Sequence, residues 1–179
     1  MKRTILIYGA ISGLLVATLM IGTVMFCYNS GEFEGSMLLG YASMLLAFAF
    51  VWIGVKRFRD RQNGGVITFG KALKVGLLIT LVTCTLYVGI WLVDYYVFIP
   101  DFLDKYTAHV LSQAEASGMS PAALARQQAE MDTYKALYRN PLWVIVFTYM
   151  EILPVGLLMS FLAALFLRRK TALKKETEI

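Results

Sequence analysis

The chain has 179 residues, of which 58% are hydrophobic and 16% charged, with a mean hydropathy of +0.62 and a formal net charge of +5. Soluble domains carry roughly 25% charged and about 45–50% apolar residues, so this composition excludes an ordinary soluble domain and a disordered chain. With only 2 cysteines, a disulfide framework is excluded as well.

The apolar residues fall in four blocks, each close to the roughly 20 residues that cross a hydrocarbon core of about 30 Å as a helix. The first, residues 5–28, carries no charge. Met1-Lys2-Arg3 precedes it, as in a secretion signal, but the run exceeds the about 7–15 apolar residues of such a signal. Met25-Phe26-Cys27 is also a poor cleavage site, so the block reads as a retained span. Residues 29–36 form a short acidic loop, and residues 37–55 are a second charge-free span.

Residues 56–74 are the densest charge run, a basic connection with Lys56, Arg57, Arg59, Arg61, Lys71 and Lys74. Within it, Gly65-Val66-Ile67-Thr68-Phe69-Gly70-Lys71-Ala72 matches all but the last position of a phosphate-binding loop. That last position needs Ser or Thr to hold magnesium, and a buried strand must precede the loop. Ala72 stands there instead, so no nucleotide site is expected. A Gly-Gly turn leading to an interfacial segment, with Ile67 and Phe69 in the headgroups, is the expectation.

Residues 75–100 are the third span, with one ionisable side chain, Asp94. Residues 101–140 are too many for a structureless loop. Phe102, Tyr106 and Val110 recur at helical spacing, Gly118 suits a helix end, and Ser120-Pro121 suits a helix start. Leu124, Met131, Tyr134 and Tyr138 mark one face of the second helix, and Asn140-Pro141 ends it. An amphipathic helical hairpin on the outer side is expected. The fourth span, residues 142–167, again has one ionisable side chain, Glu151, and residues 168–179 are a basic tail.

Basic residues mark the cytoplasmic side of a membrane protein. Thirteen of the 17 Lys and Arg lie at the N-terminus, in the second connection and in the tail, against Lys105, Arg126, Lys135 and Arg139 on the other side. Both termini are therefore expected in the cytoplasm. The juxtamembrane placement of the positive charge makes it a topology signal and argues against nucleic acid as a partner. The fold class that follows is all-α: one polytopic membrane domain of four transmembrane helices, with an outer helical hairpin between helices three and four.

Little in the chain carries chemistry. The single histidine, His109, sits in the hairpin and reads as a solvated helix residue, while Cys27 and Cys84 lie inside spans. Neither a typical zinc site nor a catalytic triad can be built from these, so no catalytic residue, metal or cofactor is expected. Asp94 and Glu151 are the two intramembrane carboxylates of possible functional role, since a charge there costs about 2.5–3.5 kcal/mol on insertion scales. Depth counting brings them to similar levels near Trp91 and Tyr95, with Glu151 expected to be buried between helices. Pro154 loosens the helix beside Glu151. Gly156, Ser160 and Ala164 form one small-residue stripe and Gly9 and Gly13 another, marking packing faces within one chain or between two.

Three stretches resemble a known family, the bacterial integral membrane proteins catalogued as domain of unknown function 4199. They are residues 65–72 with Gly76, the Asn140-Pro141 pair, and Glu151-Ile152-Leu153-Pro154-Val155-Gly156 leading to Ala163-Ala164 and the basic tail. The resemblance implies a four-helix protein of the bacterial inner membrane and supplies no activity or catalytic residue. It also implies that residues 65–72 serve the fold. On function, a non-enzymatic scaffold or accessory subunit stands first, with membrane lipids and a second copy or another membrane protein as partners. A small oligomeric transporter or ion-coupled carrier using the two carboxylates is the alternative. An enzyme built on the same pair ranks behind both, for want of a motif.

Overall fold

The computed structural model describes residues 1–31, 33 and 36–169. Glu32, Glu34 and Gly35 of the first connection, and the tail from Lys170 onward with Lys174 and Lys175, lie outside the described residues. The described elements are six α-helices: α1 (Lys2–Ser30), α2 (Ser36–Gln62), α3 (Phe69–Val93), α4 (Phe102–Ala116), α5 (Pro121–Tyr138) and α6 (Pro141–Leu167). One π-helical turn, Asp94–Phe98, extends α3. Helices α1, α2, α3 with its extension, and α6 are each long and apolar enough to cross a membrane. The chain is thus a multi-pass membrane protein, helical because lipid offers the backbone no hydrogen-bond partners.

These four helices form an antiparallel bundle. Helix α1 packs on α2 and α3, α6 packs on α3 and α2, and α2 meets α3 across the centre, leaving α1 and α6 at opposite corners. The described termini share one end of the bundle, where the N-terminal ammonium donates to Gln62 Oε1 at 2.7 Å and Ile67 pairs with Arg169. The α4–α5 hairpin covers the other end.

At the end with the termini, the helices run past the charge-free blocks. Helix α2 continues to Gln62, carrying Lys56, Arg57 and Arg61 exposed on its last turns, so only residues 63–68 form a connection. Helical hydrogen bonding does not stop where hydrocarbon does, and long basic side chains bring their charge out to water. Arg59 differs. It is buried, with Nε on Asp60 Oδ1 at 2.6 Å and Nη1 on the Leu167 carbonyl at 3.3 Å.

The expected interfacial segment is also different. Ile67 does not reach headgroups: it is 1% exposed, held by reciprocal backbone bonds to Arg169 of 3.0 and 2.9 Å. Gly64 and Gly65 take φ of +65° and +78° to make the preceding turn, a region that glycine enters without steric cost. Thr68 then caps α3, and Lys71 is fastened to Asn63 Oδ1 and lies over the Phe58 ring. Residues 65–72 thus build a turn, a plug and a helix start.

The hairpin follows its sequence signals. It turns at Gly118, φ +78°, after α4. The Ser120 hydroxyl accepts from the Ala123 N–H, Pro121 opens α5, and Asn140 Oδ1 accepts from the Leu142 N–H at 3.0 Å to start α6. Lys135 and Asp104, 2.7 Å apart, tie α5 to α4. Tyr28 of α1 donates to Asp101 Oδ1 at 2.6 Å, anchoring the hairpin to the bundle.

The bundle is tight in one half and open in the other. In the half nearest the termini, a Cβ on Gly9 would lie 2.6 Å from Val82, and one on Gly156 would lie 2.8 Å from the Phe48 ring and against the Thr80 methyl. Hydroxyls stitch the same half together: Ser12 donates to the Ala47 carbonyl at 2.8 Å, and Thr80 bonds Ser160 at 2.9 Å. In the half nearest the hairpin, a Cβ on Gly40, between helices, would meet nothing, while Gly22 and Gly89, like Gly70 nearer the termini, are exposed. Small residues draw helix backbones together only where a neighbour occupies the space they leave.

Candidate functional site

In the open half, the four spans enclose a cavity of about 360 Å³. Its walls follow from the packing just described. Helix α1 contributes Val16 and Met20, helix α2 Gly40 and Met44, and α3 Tyr87 and Trp91, so most of the surface is apolar or aromatic. Thr23, Tyr41, Ser43 and Thr148 also line it, the hydroxyls of Thr23, Ser43 and Thr148 donating to carbonyls of their own helices. Glu151 of α6 completes the wall.

Glu151 is exposed, not enclosed between helices as its sequence position suggested. The physical reason is the gap itself: α1 and α2 leave space opposite α6 at this depth, so the carboxylate borders a cavity rather than a packed core. Among the described residues it has no ion pair, and no Lys, Arg or His lines the cavity. Its charge reaches the Tyr138 hydroxyl on the hairpin. Burial, assisted by that charge, pushes the Tyr138 phenol up to about 12. The Tyr138 ring closes the hairpin side, 5.5 Å from Tyr95 and stacked on Phe147 at 6.0 Å.

Asp94 does not join Glu151. It opens the π-helical turn, three residues past Trp91, and is not among the residues lining the cavity. It is 5% exposed, with Oδ2 lacking a hydrogen-bond partner, while its backbone carbonyl accepts from the Ile99 N–H at 3.0 Å. Pro100 disfavours helix at Ile99 and brings the extension to a stop. Trp91, one turn before Asp94 and on the cavity wall with Glu151, has its ring 5.8 Å from Tyr95 and 5.9 Å from Phe102.

The small-residue stripes face neighbours in the same chain. Gly9 and Gly13 lie on Val82 and Leu86 of α3, Ser160 lies on Gly76, and Ala164 is fully buried in the core. Pro154 sits inside α6 on its exposed side, where it withholds the N–H that the Met150 carbonyl would have accepted. His109 is half-buried with its ring 5.2 Å from Phe33, correcting its reading as a solvated side chain. Residues of the first connection are far from it in sequence, and no local signal announces that contact. Sequence reasoning likewise missed Tyr41, Tyr87 and Met44 as cavity walls, because each reads as an ordinary apolar or aromatic position in a span.

Among the described residues, no group of three or more His, Cys, Asp and Glu could hold a metal ion. The family model described as a protein of unknown function, DUF4199, matches residues 7–169. No curated protein and no solved structure matches the chain. Because the family match runs through all four spans, the hairpin and the cavity between them, this membrane protein belongs to the DUF4199 family.

Proposed function

We propose that this protein is a non-enzymatic scaffold or accessory subunit of the bacterial inner membrane. It acts by assembly, with both termini in the cytoplasm and the α4–α5 hairpin as its outer contact surface. One observation carries the reading: α5 is 18 residues long and has no buried residue. Helices draw most of their stability from packing a face, yet α5 leaves Tyr134 49% exposed and only half-covers Leu124 and Met131. The Lys135–Asp104 pair and the Tyr138 packing hold it in place, so an ordered surface is presented to a second copy or another membrane protein. Photo-crosslinkers at Ala129 and Tyr134 in native membranes should give a discrete protein adduct; adducts to lipid alone would refute the reading. Alkaline phosphatase fused after Ser117 should be active, and fused after Asn63 inactive, with the reverse pattern inverting the topology.

A second reading, a small oligomeric transporter or ion-coupled carrier, is favoured by the unpaired Glu151 in its cavity. Four spans are few for a carrier with two-fold repeats, so a second copy is required. Ion-driven flux in liposomes that Glu151→Gln abolishes would support it, and flux unchanged by that substitution would remove it.

A further inference from the structure

We propose that the interhelical cavity is a binding site for a lipophilic organic cation: an amine, quaternary ammonium or phosphonium centre carried on an apolar body. The proposal needs no assembly through α5. It supplies a substrate class for the carrier reading, but binding and flux are separate measurements and fail separately.

Three features of the cavity select that chemistry. The first is size, since about 360 Å³ lies within the range of roughly 300–1,000 Å³ that takes small organic molecules. The second is the wall. Val16, Met20 and Met44 offer apolar and polarizable surface to a hydrocarbon or aryl body, and methionine adapts readily to irregular shapes. The third is charge. Glu151 is the one ionisable carboxylate on the wall, and no described Lys, Arg or His lines the cavity to neutralise it.

An anion would face Glu151 without compensation, and a neutral molecule would leave the carboxylate unmatched in apolar surroundings. A cation pairs with it within the span, where a carboxylate left unmatched is costly. Trp91 and Tyr41 are also on the wall, and aromatic rings attract the same sign of charge.

The neighbouring cation does not compete. Lys105 lies 3.4 Å above the Tyr28 ring and 3.7 Å from Asp101, at the hairpin anchor and outside the cavity wall. A phospholipid chain is the other molecule that a membrane would place here, and it would fill the apolar wall without using Glu151. The test separates the two.

The full chain, purified and held in phosphatidylcholine nanodiscs, is titrated with tetraphenylphosphonium and with tetraphenylborate, which share a shape and differ in sign. Empty nanodiscs provide the background of partitioning. Saturable binding of the phosphonium and none of the borate is expected. Glu151→Gln should weaken phosphonium binding about tenfold, the loss of one ion pair, and Glu151→Asp should restore most of it.

Gly40→Leu provides a second variant that keeps every charge. Gly40 lines the cavity and a Cβ there meets nothing within 4 Å, so a larger side chain can take up cavity space. It should weaken phosphonium binding by a similar factor of about ten while the protein melts no lower than the parent. Four results would overturn the proposal: no saturable phosphonium binding to the parent, equal binding of both ions, binding indifferent to Glu151→Gln, or binding indifferent to Gly40→Leu. Equal binding of both ions together with a tightly co-purifying phospholipid would assign the cavity to a lipid chain. Binding without flux would support the site and remove only the carrier.

Discussion

Replacing Gly156 with Ala puts a single methyl where α3, α2 and α6 meet. The new carbon would lie 2.8 Å from two atoms of the Phe48 ring and against the Thr80 methyl. Phe48 is fully buried and Thr80 is 1% exposed, so neither can swing into empty space. The Thr80 hydroxyl also donates to the Gly156 carbonyl at 3.2 Å, and parting the helices lengthens that bond. Overpacking costs about 1–3 kcal/mol, and contacts from two helices place this site at the top of that range. Alanine regains about 0.8–1.0 kcal/mol of helix propensity over glycine. The net loss is about 2 kcal/mol, or about 4–8 °C in melting temperature for a chain of this size. Gly89→Ala is the matched control, because a Cβ there meets nothing. It should leave the melting temperature unchanged or raise it. Cys27 and Cys84 are both free and buried, so a thiol-reactive dye in detergent reports unfolding without added labels. If Gly156→Ala melts with the parent, or Gly89→Ala falls as far, close packing does not set the tight half of the bundle.

Ile67→Ala removes a side chain that is 1% exposed at the end of the bundle with the termini, and the same melt should show a loss within the about 2–5 kcal/mol of buried Ile-to-Ala changes. No change would mean that the residue 65–72 segment is not part of the core. Tyr28→Phe should release the hairpin anchor, seen as faster amide exchange in the first turn of α4 at neutral pH, with the rest of the bundle unaffected. The same anchor predicts a pH response. The Tyr28 hydroxyl, with Lys105 beside it, holds the Asp101 carboxyl below its ordinary value of 3.8. A depressed carboxyl stabilises the folded state above the unfolded value and ceases to do so as pH falls through the folded one. Protection of the α4 first turn should therefore persist to pH 3.8 and fade below it in the parent. Fading that begins near neutrality would refute the assignment.

How much of this was legible from the residues alone depends on what each feature answers to. The four spans, the hairpin and its caps are local: they follow from run length, helical spacing and Gly118, Ser120, Pro121 and Asn140. Helix ends were less legible at α2, because Lys56, Arg57 and Arg61 extend a helix as readily as they fill a connection. Ile67 was misplaced for a long-range reason, its backbone pairing with Arg169. The stripes of Gly9, Gly13, Gly156, Ser160 and Ala164 were visible as packing faces, but which neighbour they met was not. The cavity was hidden altogether, since an open space is a property of four helices and no single one encodes it.

Asp94 and Glu151 look alike in the sequence, each the lone acid of its span, yet the bundle gives them opposite surroundings. Asp94 lies where α3 winds into a π-helical turn and is covered until it is 5% exposed. Glu151 lies where the packing opens and is exposed. The difference is local, because both acids lie toward the hairpin and only Glu151 borders the cavity. Gly9, Gly13 and Gly156 let the helices approach closely nearer the termini, while Gly40 lines the cavity nearer the hairpin with nothing within 4 Å of its Cβ position. A carboxylate inside hydrocarbon costs about 2.5–3.5 kcal/mol, and an open cavity lowers that cost by admitting a counter-charge or water. Glu151 is thus retained where the bundle leaves room beside it, which ties its placement to the residues of the other three spans that line the cavity.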